Sequence, residues 1–277
     1  MRTILITGAT DGIGAVAAKA LAKEVGNDII IHGRSEAKCE LVVKEIQAQG
    51  GSASSEIADF SSLTQVRAMA DRLTKQNKKI DVILNNAGVW INERKETEDG
   101  FELTWQVNYL APFLLTVRLL PTMLECSDAP RVINISSSGH RSGRLNFDDI
   151  NQIRSGGGFN GLVAYCQSKL ANVLFTQELA RRTKGTSLRT YAVDPGAVKT
   201  KLLATTGFNV PSAKSSTEEE TVGKWLDAVL GPLSYQGNGN QNNGGYFEPN
   251  GRLAEPSTRD PELAARLWLM SEKQTAI

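Results

Sequence analysis

Histidine and cysteine are scarce in this 277-residue chain, with two of the first and three of the second. Cys39, Cys126 and Cys166 are odd in number, widely spaced and form no CxxC. That argues against a disulfide framework and suits a reducing compartment. With only His32 and His140 available, a zinc or iron centre would have to borrow scattered thiols and carboxylates, so no metal is expected. Charge of one sign is also lacking: 31 basic residues stand against 30 acidic ones, a net charge of +1. No patch or tail is therefore expected to steer nucleic acid or an acidic membrane. No continuous apolar run of about 18 residues occurs, so no membrane span is expected. The N-terminus, "MRTILITGATDGIG", enters a strand-like run at once, without the n-region and h-region of a signal peptide. The expectation is a cytoplasmic protein.

What the chain does have is alternation. Short runs rich in Ile, Val and Leu alternate with longer segments of helical period: 3–7 with 13–25, 28–32 with 35–49, 54–58 with 62–77. The pattern continues with 80–86 and 102–125, 131–136 and 163–184, then strand-like runs at 188–193 and 244–248. Near-continuous apolar strands separated by helices predict a parallel sheet covered on both faces. Right-handed crossovers then give a doubly wound, three-layer α/β/α domain. No linker divides it, so residues 1–277 form one domain. Two segments lack clear periodicity, about 138–162 and 196–217, and connections of that length are usually functional loops. The Asn/Gly-rich 236–243 reads as a plain surface loop.

The turn "TGATDGIG" (7–14) follows the first strand and opens the first helix. Glycines there let the backbone approach a pyrophosphate at a positive helix N-terminus. A dinucleotide fold usually carries an acid at the end of its second strand to grip a ribose hydroxyl. That place reads His32-Gly33-Arg34, and a guanidinium suits a 2′-phosphate instead. NADP(H) is therefore favoured over NAD(H), although Asp11 inside the turn argues the other way. "NNAG" (85–88) closes the fourth strand on the same edge, where Gly88 permits close approach of a ligand and the asparagines can tie loops together.

In "YCQSK" (165–169), Tyr165 and Lys169 are four residues apart and share one face of a helix. An ammonium beside a phenol favours the phenolate and brings its pKa down from about 10, as a general acid/base requires. A lone Tyr-x-x-x-Lys would more often be an exposed amphipathic helix.

As an ordered set, Thr7-Gly8-xxx-Gly12-x-Gly14, Asn85-Asn86-Ala87-Gly88, Asn108, the serine run 136–138, Tyr165-xxx-Lys169 and Pro195-Gly196 resemble the short-chain dehydrogenases/reductases across roughly residues 1–200. The resemblance implies a Rossmann-type fold and an enzyme that moves hydride between a nicotinamide and a small-molecule carbonyl/alcohol pair. It implies that Tyr165 exchanges the proton, Lys169 binds the nicotinamide ribose, a serine holds the carbonyl and Asn108 holds a water-linked proton relay. The family pattern laid on Asn134-Ile135-Ser136-Ser137 selects Ser137. The cofactor would be lined by Gly8, Thr10, Asp11, Gly12, Ile13, Gly14, Arg34, Asp59, Phe60, Asn86, Ala87, Gly88, Tyr165, Lys169, Pro195, Gly196, Val198 and Thr200, with Asp59 at the adenine and Thr200 at the carboxamide. Ser137 and Tyr165 stand 28 positions apart, wider than in many relatives. That insertion, together with "SSSGH" and the C-terminal "EPSTRDPELAARLWLMSE", is similar to the retinol-dehydrogenase-like branch, whose microsomal members carry an N-terminal apolar anchor; no such anchor is expected here.

The substrate pocket is expected between residues 139–162 and 198–217, with Trp90, Phe159, Leu202, Leu203 and Phe208 as apolar candidates beside Ser137; Phe147 is a candidate for pocket or core. An alternative within enzymes is a ketoreductase acting on a polyketide or terpenoid ketone. An alternative of another class is a non-catalytic dinucleotide sensor, against which stands retention of Tyr165, Lys169, Asn108 and Ser137. By analogy with relatives that pair through the helices near 102–125 and 163–184, a homo-oligomer is expected. His140 is open between a pocket residue and a structural one.

Overall fold

The computed structural model describes residues 1–76, 79–153, 158–196, 218–230 and 242–277. Eight strands form one sheet in the order β3-β2-β1-β4-β5-β6-β7-β8. They are β1 (Arg2–Ile6), β2 (Asn27–Gly33), β3 (Ser52–Ile57), β4 (Val82–Asn85), β5 (Arg131–Ile135), β6 (Arg189–Val193), β7 (Gly245–Phe247) and β8 (Leu253–Ala254). Every pairing is parallel except β7 with β8. The chain order reverses between β1 and β4, the place where doubly wound sheets open a crevice at their carboxyl ends. The central strands are apolar on both faces because helices cover both. Ile4, Ile6, Ile133 and Ile135 pack toward one helical layer, while Leu5, Ile83 and Val132 pack toward the other, as the two-residue side-chain period demands.

The first layer holds α1 (Gly12–Ala22), α2 (Glu36–Ala48) and α6 (Glu218–Leu230). The second holds α3 (Leu63–Lys75), α4 (Leu103–Cys126) and α5 (Gly161–Arg182). Outside these lies α7 (Pro261–Thr275), laid across α5 and α4. Trp268 of α7 meets Phe113 edge-on at 5.0 Å, and Ser271 shares a 2.6 Å hydrogen bond with the Tyr109 hydroxyl. Within one chain, α7 thus covers faces of the two helices expected to join subunits.

Helix α4 is long and apolar enough, by length and composition, to cross a membrane, although no continuous apolar run of that length exists. It is instead a core helix, with 67% of its most apolar window buried inside the protein. Its second turn, Gln106–Leu110, widens into a π-helical turn.

The alternation read from the sequence matches the elements to within a few residues. Helices α6 and α7, the two-residue β8 and a 3₁₀ turn at Ser138–Ser142 were not anticipated. The start of α7 does carry a signal: Asp260 accepts from the amides of Glu262 and Leu263, and Pro261 holds the first helical position. Asn243, at the end of the expected plain loop, accepts from the Thr190 amide at 2.8 Å and extends the bonding of β6.

Candidate active site

A cleft of about 850 Å³ follows the carboxyl edge of the sheet, a size typical of small-molecule sites. Along that edge the loops after β2, β1, β4, β5 and β6 contribute in turn Arg34, the glycine turn, "NNAG", the serine run and Pro195-Gly196. Of the expected cofactor residues, Gly8, Thr10, Asp11, Gly12, Ile13, Arg34, Asp59, Phe60, Asn86, Ala87, Gly88, Tyr165, Lys169, Pro195 and Gly196 all line it. Val198 and Thr200 lie outside the described residues, as do Leu202, Leu203 and Phe208.

The glycine turn is built for close approach. Gly8 has φ +65°, and a Cβ there would press on the backbone of Ala87. Gly14 does not line the cleft. A side chain at that position would collide with Asn86 and the Gly8 carbonyl, so Gly14 serves the tight seating of α1 on the sheet. Asn86 donates to the carbonyls of Thr7 (2.8 Å) and Gly8 (3.2 Å), while the Thr7 hydroxyl accepts from the amides of Asn86 and Ala87. Asn85 joins Thr116 and Asn134 in the core. Asn86 therefore ties the "NNAG" loop to the glycine turn, while Asn85 serves the core between α4 and β5.

His32 extends this bracing in a way the sequence did not reveal. Its Nδ1 accepts from the Gly8 amide at 3.3 Å, its Nε2 faces the Ala58 carbonyl at 3.1 Å, and its ring stacks on Phe60 at 4.3 Å. Burial pushes its pKa down to about 4, so the ring is neutral. At the rim, Arg34 is joined by Ser35 and Lys38, the latter one helical turn on and missed in the sequence. Among the described residues neither Arg34 nor Lys38 has a hydrogen-bonded or ionic partner, leaving two cations facing the cleft. Asp59 is occupied by the amide and hydroxyl of Ser61, and Asp11 caps α1 through the Gly12 amide.

At the other end stand Ser137, Tyr165 and Lys169. The strand ends at Ile135, and the three serines part company beyond it. Ser136 is buried and donates its hydroxyl to the Lys169 carbonyl at 2.9 Å. Ser138 is exposed and opens the 3₁₀ turn. All three reach the cleft, but Ser137 accepts from the Gly139 amide at 3.2 Å and is the one whose hydroxyl acts on the Tyr165 phenol, opposing the rise of its pKa. The Lys169 ammonium lies 5.4 Å from the centre of the Tyr165 ring and donates to the Ile135 carbonyl at 2.9 Å. Burial pushes the Lys169 pKa down to about 8, partly offset by the charge of Asp194.

One expectation needs correction here. The phenol of Tyr165 is not brought down by its lysine: burial pushes its pKa well above the ordinary value, against the smaller opposing effect of the Ser137 hydrogen bond. Taking the phenolate out of water costs more than these neighbours return.

Asn108 is not on the cleft wall. It sits on the π-helical turn of α4, where such turns often mark functional positions. Its amide oxygen accepts from Val89 N at 2.7 Å, and its amide nitrogen donates to Val89 O and to the Ser168 hydroxyl. It clamps the "NNAG" loop to α5. Trp90 lines the cleft and stacks on Tyr165 at 4.4 Å and 19°. Phe159 is half-buried but does not line it. From the expected wall 139–162, Gly139 and Leu162 reach the cleft. Phe147 and Ile150 turn instead into the core, Phe147 beneath Arg266 at 4.1 Å. Cys166, beside Tyr165, is buried and its thiol pKa is pushed up, so it is not a reactive thiolate.

A Gly-rich turn at the switch point, a phenol and an ammonium one helical turn apart, and a serine against the phenol define a dinucleotide-dependent oxidoreductase site. The sequence pattern of the family described as short chain dehydrogenase matches residues 2–148. Human retinol dehydrogenase 13 is 37% identical over 284 residues, spanning 98% of this chain and 84% of that protein. Bovine retinol dehydrogenase 12 is 41% identical, spanning 98% and 85%. A Shigella flexneri protein solved in complex with NADP has the same fold, with a TM-score of 0.70, 28% identity, and coverage of 90% of this chain and 96% of that one. The chain belongs to the short chain dehydrogenase family, oxidoreductases that act on alcohols and carbonyls with a nicotinamide dinucleotide.

Proposed function

We propose that this protein is an NADP(H)-dependent oxidoreductase that interconverts a carbonyl and an alcohol on a lipophilic small molecule, with Tyr165 as general acid/base. The observation that carries the reading is the convergence of Ser137, Tyr165 and Lys169 at one end of a cleft whose other end presents Arg34 and Lys38. The groups present fit a dinucleotide: the Gly8 turn leaves backbone where a Cβ would intrude, and the two rim cations suit a phosphate on the ribose. The bound nicotinamide would supply or accept the hydride.

The protein's own part is orientation and proton handling. Ser137 offers a hydroxyl to the substrate oxygen, and Tyr165, kept protonated by burial, can donate to an oxygen that gains negative charge. Lys169, with its ammonium tied to Ile135, holds positive charge beside the phenol and would hold a ribose hydroxyl of the bound dinucleotide. Asn108 keeps the Val89 backbone and α5 in register behind them. A lipophilic substrate is supported by the apolar Val89, Trp90, Leu103, Val107 and Leu162 lining the cleft, and by the names of the retinol dehydrogenases it resembles.

The test is a panel of retinoid and other lipophilic aldehydes and ketones, followed by loss of NADPH absorbance. Tyr165→Phe should lower turnover about 10²–10⁴-fold while leaving NADPH affinity within a few-fold. Turnover close to wild type in that variant would remove the acid/base role.

A further inference from the structure

Of the two histidines, His140 has no part in the chemistry above, yet it is fully buried three residues after Ser137. Its ring nitrogens have unambiguous neighbours. Nδ1 lies 2.6 Å from the Ser137 carbonyl, which can only accept. Nε2 lies 3.1 Å from the Ser257 amide, which can only donate. A single neutral tautomer, with the proton on Nδ1, satisfies both. An imidazolium would set a second N–H against the Ser257 N–H.

The Ser137 carbonyl also receives the His140 backbone amide at 3.0 Å. The amide at the other end of the same peptide plane, that of Ser138, faces Asp194 and counters the burial that raises its pKa. Asp194 is held in turn by the Gly196 amide at 2.8 Å and by the Tyr246 hydroxyl at 3.3 Å. The Tyr246 ring lies against the His140 ring, centre to centre at 4.6 Å. The 137–138 peptide is therefore held at its oxygen by both the backbone and the ring of His140, with Asp194 on the side of its nitrogen. Anchoring the carbonyl of that plane fixes the orientation of the Ser137 Cα from which the side chain projects toward Tyr165.

We propose that His140 is a positioning residue, whose Nδ1–H fixes the Ser137 carbonyl and thereby aims the Ser137 hydroxyl at Tyr165 and the substrate oxygen. The inference rests on the role given to Ser137 above. The groups facing the ring are Arg141 on its own turn, Asp194 after β6, Tyr246 of β7 and the Ser257 backbone before α7. Arg141 is directed at the Glu255 carbonyl and the outer face of Tyr246 rather than at the Ser137–Ser138 peptide.

Two substitutions separate the ring's functions. His140→Asn places an amide near the Nδ1 position and can still donate to Ser137. His140→Gln places its amide near the Nε2 position and cannot. We expect His140→Gln to lower kcat about tenfold or more with the KM for NADPH unchanged, and His140→Asn to stay within about threefold of wild type. In a Ser137→Ala background, His140→Gln should cost nothing further. The same loss in that background, or full kcat in a folded His140→Gln protein, would overturn the proposal. If Ser137→Ala alone leaves turnover intact, the reading of Ser137 fails first, and independently.

A readout on the wild-type protein covers variants that do not fold. With two histidines, ¹⁵N-histidine spectra carry two ring patterns. His140 should be the Nδ1–H tautomer and His32, which accepts from Gly8 at Nδ1 and faces the Ala58 carbonyl at Nε2, the Nε2–H tautomer. Two Nε2–H tautomers, or a His140 signal averaged between both forms, would overturn the assignment.

Discussion

Arg34 and Lys38 line the cleft and neither forms an ion pair among the described residues. Replacing Arg34 with Asp should shift the ratio of kcat/KM for NADPH over NADH by at least about tenfold toward NADH, because a carboxylate repels a 2′-phosphate and accepts from a free 2′-hydroxyl. An unchanged ratio would show that Arg34 reads no phosphate. His32 makes a different kind of prediction. Its folded pKa of about 4 lies below the unfolded value of about 6.5. As pH falls through that window the unfolded chain takes up the proton first, so stability drops. Between roughly pH 7 and pH 5.5 the His32 contribution should be a loss of about 1 kcal/mol, read by urea denaturation. His140, also held below its ordinary pKa by burial, adds in the same direction. His32→Gln should show a shallower decline, and an equal slope would mean that the ring is not buried neutral.

Among the elements, α5 and α7 divide the labour. Helix α5 presents Tyr165 and Lys169 one turn apart, a spacing that any α-helix delivers, so this part of the site could be read from five letters of sequence. The π-helical turn that carries Asn108 has no such code. It is one widened turn within α4, which no run of residues announces. Helix α7 begins on the Asp260 cap, and Asp260→Ala should cost about 1 kcal/mol, read as a lower denaturation midpoint with activity retained. A site residue hidden under α7 would make activity fall in parallel and contradict that separation. Strand β8 is two residues long and pairs with β7 alone, too short for any periodicity to appear.

The molecule as a whole closes its second layer with α7. Tyr109, Phe113, Phe175 and Trp268 form one aromatic cluster between α4, α5 and α7, and Arg182 lies over the indole of Trp268 at 4.4 Å. Trp268 is 5% exposed, so Trp268→Ala should destabilise the protein by about 3–5 kcal/mol, measured by chemical denaturation. A loss under about 1 kcal/mol would show that α7 is only loosely docked. The same closure brings the segment before α7 to His140 through Ser257, connecting residues 117 positions apart to the peptide beside Tyr165.

Local rules were enough for much of this. Strand and helix alternation, the glycine turn and the Tyr165–Lys169 pair depend on periods of two and 3.6 residues and on backbone freedom, all properties of short segments. The family's motif order then singled out Ser137, and the tertiary structure places Ser136 and Ser138 in other work. What only the packed chain decided are effects of burial and of distant partners: a tyrosine whose pKa rises although a lysine stands beside it, a neutral His32 under the glycine turn, an Asn108 spent on clamping loops, and a His140 locked between Ser137 and Ser257. Desolvation and long-range hydrogen bonds exist only once the chain has closed around them, so no stretch of sequence carries their sign.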